Sequence, residues 1–121
     1  MAKKILVVDD DELVLIAIRE LLSPLGFSVT IISNGPGALE KVSSDRFDLI
    51  ILDVIMPEMD GFEVCQRVRK MDSYGETPIL MLTAKSEEAD KQKGMEAGAN
   101  LYLPKPIAPR RLIALVEEAL K

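Results

Sequence analysis

Apolar positions in this chain fall into short runs separated by stretches of helical period. The runs are Ile5–Val8, Val29–Ile32, Leu49–Leu52, Ile79–Leu82 and the briefer Leu101–Leu103. Near-continuous apolar runs are what strands covered on both faces require. The second carries Ser28 and Thr30 and the fifth is brief, so both are expected at sheet edges. Between the runs, Val14, Ala17, Ile18, Leu21 and Leu25 repeat at helical spacing, with Gly26 as a stop. Asn34 is placed to cap a second helix through Leu39 and Val42, with Pro36 tolerated in its first turn. Phe62, Val64, Cys65 and Val68 predict a third helix, and Leu112, Leu115, Val116 and Ala119 a well-patterned last one.

The fourth helix, expected near Ser86 to Ala97, is different. Only Ala89, Met95 and Ala97 are apolar, and Gly94 costs about 1 kcal/mol relative to Ala inside a helix. It is expected to be the least firmly held. Strict alternation of strands and helices predicts one α/β domain over residues 1–121, a doubly wound parallel sheet with helices on both faces. No repeat, linker or low-complexity segment interrupts it.

Composition narrows the function classes. A chain of 121 residues, 48% hydrophobic and 29% charged, suits a single folded domain. Fifteen basic against twenty acidic side chains give −5, which argues against nucleic-acid binding by the domain itself. No apolar run reaches the roughly 18 residues of a membrane span, and Met-Ala-Lys-Lys leads directly into a strand-like run rather than a signal peptide. The single cysteine, Cys65, excludes an internal disulfide and fits a reducing compartment, so a cytoplasmic location is expected. Histidine is absent. Any chemistry must therefore rest on carboxylates, hydroxyls and lysines.

The stretch "IILDVIMPEMDG" drives a buried strand straight into Asp53, a costly placement unless the carboxylate is paired. In a parallel sheet, ligands gather at the carboxyl ends of the strands. Asp9, Asp10, Asp11 and Glu12 follow the first run, Asp53 the third, Thr83 the fourth and Lys105 the fifth. Taken singly, the acids after the first strand suit a helix N-terminus, Thr83 a helix cap and Lys105 a solvated surface. Taken together, they crowd like charges whose repulsion a bound cation relieves. An oxygen-only donor set without His or Cys points to a hard ion, Mg²⁺. A carboxylate beside such an ion, with a hydroxyl and a lysine near, is equipped to attack phosphorus and form an acyl phosphate.

The segments "ILVVDDDE", "DLIILDVIMPEMDG", "ILMLTAKSEEADKQKGMEAGA" and "LYLPKPI" together resemble the receiver domain of two-component response regulators, over essentially the whole chain. The resemblance implies a flavodoxin-like fold of strand order 2-1-3-4-5, the order of a chemotaxis member of the family. It implies metal binding by Asp9, Asp10, Asp53 and the carbonyl of Ile55, and phosphorylation of Asp53. It also implies a phosphate-binding hydroxyl at Thr83, a phosphate-binding lysine at Lys105 and a switching aromatic at Tyr102. A cis Lys105–Pro106 peptide and a histidine phosphodonor on a partner kinase or phosphotransfer protein follow from the same resemblance. An output domain or effector protein would read the switched surface, formed by the fourth helix, fifth strand and fifth helix, and a phosphorylation-dependent dimer is compatible with the family. The chain ends where the last helix should, so a free-standing receiver and one cut from a longer protein are both open.

Some positions depart from common family patterns. Ile107 stands where phenylalanine is frequent, Pro104 removes a backbone donor beside the lysine, and Asn100-Leu101 replaces acids that many DNA-binding regulators use in dimer salt bridges. Cys65 and the methionines Met56, Met59, Met71, Met81 and Met95 read as packing residues, and Arg110 and Arg111 as a solvated first turn. Three alternatives share parts of this pattern: a Mg²⁺-dependent hydrolase with an aspartyl-phosphate intermediate, a degenerate receiver, and a nucleotide-binding fold. Ile55, two residues after Asp53, supplies no general acid for the hydrolase. The intact acid, hydroxyl and lysine set opposes degeneracy, and no G-x-G-x-x-G follows the first strand. Ile55 also offers nothing to orient water, which predicts a comparatively long-lived phosphorylated state.

Overall fold

The computed structural model describes residues 2–121, so Met1 of the expected 1–121 domain lies outside the described residues. Five strands, β1 (Lys4–Val8), β2 (Ser28–Ile32), β3 (Leu49–Leu52), β4 (Ile79–Thr83) and β5 (Leu101–Pro104), alternate with five helices. These are α1 (Glu12–Leu22), α2 (Gly35–Ser44), α3 (Gly61–Arg69), α4 (Glu88–Ala97) and α5 (Pro109–Ala119). All strand pairs are parallel and the order is β2-β1-β3-β4-β5, with the two expected strands at the edges.

Alternation along each strand sends side chains to two separate cores. Leu6, Val8, Ile50, Leu52, Ile79, Met81 and Tyr102 pack with residues of α2, α3 and α4. Ile5, Val7, Leu49, Ile51, Leu80, Leu82 and Leu103 pack with α1 and α5. The three central strands are buried on both faces, which is why their sequences run apolar without alternation.

Local signals set the helix ends. Asn34 caps α2 by accepting from the Gly37 N–H at 2.7 Å, and Pro36 sits in the first turn. α1 stops at Leu22, earlier than its apolar repeat suggests, because Pro24 brings a short 3₁₀ turn over Ser23–Leu25. Gly26 then closes it at φ +98°, a left-handed conformation that favours glycine. α4 begins at Glu88 rather than Ser86, and Glu87 makes no capping hydrogen bond with its side chain. Its buried residues are Gly94 and Ala97, while Met95, expected to pack, is 44% exposed. No helix among the described residues is long and apolar enough to cross a membrane.

Candidate functional site

Parallel pairing aligns the strand ends. Val8 is opposite Leu52, and Thr83 opposite Pro104, so the residues just beyond them meet at one end of the sheet. Asp9, Asp10 and Asp53 each present a carboxylate oxygen, and these oxygens lie within 4.8 Å of one another. Asp9 and Asp53 are buried and Asp10 is exposed, so the cluster opens to solvent on one side. The donor set is oxygen only, which fits a hard divalent cation.

Backbone donors fix the two buried acids. The Asp53 N–H donates to Val8 O at 2.9 Å, continuing the ladder past the strand end. Its Oδ1 accepts from the Val54 N–H at 2.7 Å and from the Ile55 N–H at 3.4 Å. Asp9 Oδ1 accepts from the Asp11 N–H at 2.9 Å, and Asp11 in turn caps α1 through the Leu13 N–H at 3.0 Å. The acids after β1 therefore divide their work, Asp11 serving the helix and Asp9 and Asp10 the cluster.

Lys105 enters from the end of β5 and donates to Asp9 Oδ2 at 2.7 Å and to Asp53 Oδ2 at 3.1 Å. Burial pushes the Asp9 carboxyl above its ordinary value, and the Asp53 charge adds to this, while Lys105 and the Asp11 N–H pull the other way. Burial alone would lower the Lys105 ammonium, yet its hydrogen bonds to Asp9 and Asp53 outweigh that and raise it. Lys105 thus stays charged at neutral pH; the stability it contributes is present below its ordinary pKa and lost as pH rises through its raised one. Its peptide bond to Pro106 is cis.

Thr83 ends β4 fully buried, and its Oγ1 accepts from the Lys85 N–H at 3.2 Å, which leaves its own proton free to donate. Ile55 is 52% exposed, and its backbone N–H reaches Asp53 Oδ1. Tyr102 does not reach the acids. Its ring is turned inward at 8% exposure and its hydroxyl donates to Lys85 O at 2.5 Å. Burial, with the charges of Asp90 and Asp53, pushes that phenol up to about 12. Cys65 is fully buried and its thiol is pushed up to about 11 by burial, so it is an inert packing residue.

Two residues of consequence carried no signal in the apolar pattern. Arg69, the last residue of α3, donates from Nε to Gly98 O at 2.9 Å, from Nη1 to Tyr74 O and Thr77 O, and from Nη2 to Asn100 Oδ1. It fastens the C-terminal end of α4. Asn100 Oδ1 accepts there and from the Ile79 N–H at 2.8 Å, tying the turn after α4 to the start of β4. The second is Gly94, which packs directly against the Tyr102 ring.

Residues 5–117 match the family model of the response regulator receiver domain. The chain is 46% identical over all of its length to the alkaline phosphatase synthesis transcriptional regulatory protein PhoP of Bacillus subtilis, of which it covers 50%. It spans about half the length of the curated relatives it matches. Among solved structures, the chemotaxis protein CheY4 of Vibrio cholerae superposes with a TM-score of 0.94 at 38% identity, covering 99% of this chain and 100% of that one. The receiver domain of a sensor histidine kinase from Pseudomonas aeruginosa, solved with magnesium coordinated in its active-site cleft, gives 0.91 at 28% identity, covering 99% and 98%.

Proposed function

Because this chain belongs to the response regulator receiver domain family of two-component signalling, we propose that Asp53 is its phosphoacceptor. The observation that carries this reading is the convergence of Asp9, Asp10, Asp53 and Lys105 at one sheet end, with Thr83 buried beside them.

Asp9, Asp10 and Asp53, with the Ile55 carbonyl, would hold Mg²⁺, which when bound offsets charge on the phosphoryl oxygens. The residues supply the rest. Backbone N–H groups on Asp53 Oδ1 hold the carboxylate in one orientation, so little reorganisation precedes attack. As an Asp53 oxygen bonds to phosphorus, the bond from phosphorus to the donor histidine nitrogen breaks and that histidine leaves with its electron pair. Lys105 exchanges carboxylate contacts for a phosphoryl oxygen, and the free Thr83 proton is donated to another. A sensor histidine kinase or phosphotransfer protein in the cytoplasm is the donor in this reading. The α4-β5-α5 surface then acts on an output domain or effector protein, without nucleic-acid binding by the domain itself. Self-catalysed dephosphorylation and a phosphorylation-dependent dimer belong to the same proposal.

Intact-mass measurement after incubation with acetyl phosphate and Mg²⁺ is the test. One acid-labile phosphoryl group is expected on the parent and none on Asp53→Asn; equal labelling of both would refute the assignment. The exposed apolar Ile55 offers no hydrogen bond of its own to orient a hydrolytic water. Ile55→Asn should therefore shorten the phosphorylated lifetime, and an unchanged or longer one would remove Ile55 from the account.

A further inference from the structure

The buried face of α4 is made of small residues, and one of them faces an aromatic ring. A Cβ built on Gly94 would lie 2.6 Å from Tyr102 Cδ1, 2.9 Å from Cε1 and 3.0 Å from Met81 Sδ. Contacts below 3.0 Å are not tolerated, so either the ring or the helix must give way. The helix is fastened nearby, because Arg69 of α3 holds Gly98 O and Asn100. The ring is on edge strand β5 and, like any side chain, has staggered χ1 rotamers besides the one it occupies. The ring is the softer partner.

Inward, the ring is connected to the phosphoryl-transfer groups through one residue. The Tyr102 hydroxyl donates to the Lys85 carbonyl at 2.5 Å, and the Lys85 N–H donates to Thr83 Oγ1 at 3.2 Å. We propose that Gly94 is a positioning residue whose missing side chain seats the Tyr102 ring, and through Lys85 this seat holds the β4–α4 loop around the Thr83 hydroxyl. Gly94 is then present because of the space it leaves, in a helix where glycine is otherwise costly. The effect on Thr83 rests on the phosphotransfer reading above; the seat itself does not.

The test uses the full chain with Gly94→Ala, Tyr102→Ala and the double variant. In NMR spectra, ring contacts between Tyr102 and the Met81 methyl should be present in the parent and lost in Gly94→Ala. Labelling of Asp53 by acetyl phosphate should slow by about tenfold in each single variant, short of the roughly 100-fold that a 1 Å misplacement of a catalytic group costs. The double variant should match either single one, since with the ring absent the added methyl has nothing to displace. If Gly94→Ala alone fails to fold, recovery of the fold in the double variant supports the seat, and failure of both overturns it. Tyr102 ring contacts retained in Gly94→Ala, or rate losses that multiply in the double variant, also overturn it. Absence of labelling in the parent would strike the phosphotransfer reading, while the ring contacts still decide the seat.

Discussion

Helices α3 and α4 lie against each other on one face of the sheet, and they are held by different means. α3 buries Gly61, Phe62, Val64, Cys65 and Val68, and Asp60 caps it by accepting from the Glu63 N–H at 2.9 Å. α4 buries only Gly94 and Ala97, and Glu87 gives it no side-chain cap. The main polar tie on α4 comes from its neighbour, since Arg69 of α3 holds Gly98 and Asn100 at the C-terminal end. Its N-terminal end rests on the Tyr102–Lys85 hydrogen bond and a partly exposed Lys85–Asp90 ion pair, a class worth at most about 1 kcal/mol. The cleft thus has one wall fixed by apolar burial and another held mainly at its far end. A small change at Thr83 is therefore expected to move α4 and leave α3 in place.

Substitutions can break that contrast. The largest effect is expected for Phe62→Ala in α3, a loss of about 3–5 kcal/mol in denaturant unfolding, because the ring is 3% exposed and leaves a cavity. A loss below about 1 kcal/mol would mean that α3 is no better anchored than its neighbour. Glu87→Ser should stabilise by about 1 kcal/mol, because Glu87 already has the extended backbone of a cap and lacks only a short acceptor. No gain would show that the N-terminal end of α4 is held by something other than these contacts. Met95→Ala should stay within about 0.5 kcal/mol, as befits an exposed side chain; a core-sized loss would return Met95 to packing.

The same contrast explains what could be read from the chain. Five apolar runs marked the strands, and Ser28, Thr30 and the brevity of Leu101–Leu103 marked the edges, because burial on both faces leaves a direct trace in side-chain type. Asp9, Asp10, Asp53 and Lys105 stood out because a charged residue after a buried strand needs a partner, and the structure brings them together. The seat and the clamp were not legible. Gly94 contributes through a missing side chain and read as a weak point in the helix. Arg69 donates to the neutral carbonyls of Tyr74, Thr77 and Gly98, and Tyr102 to that of Lys85, and every residue owns a carbonyl. Met95 was misplaced for a related reason: in a helix whose inner face is made of small residues, the largest apolar side chain is free to point outward.

Amide hydrogen exchange, resolved by residue on the free chain and on the chain with Mg²⁺ and the phosphate mimic beryllofluoride, addresses both the contrast and its use. In the free chain the first turns of α4 should exchange faster than those of α3, while the end held by Arg69 is better protected. With the mimic bound, protection should rise over the β4–α4 loop and the first turns of α4 and stay constant in α3. Equal protection of the two helices in the free chain, or a response confined to the acid cluster, would contradict the account.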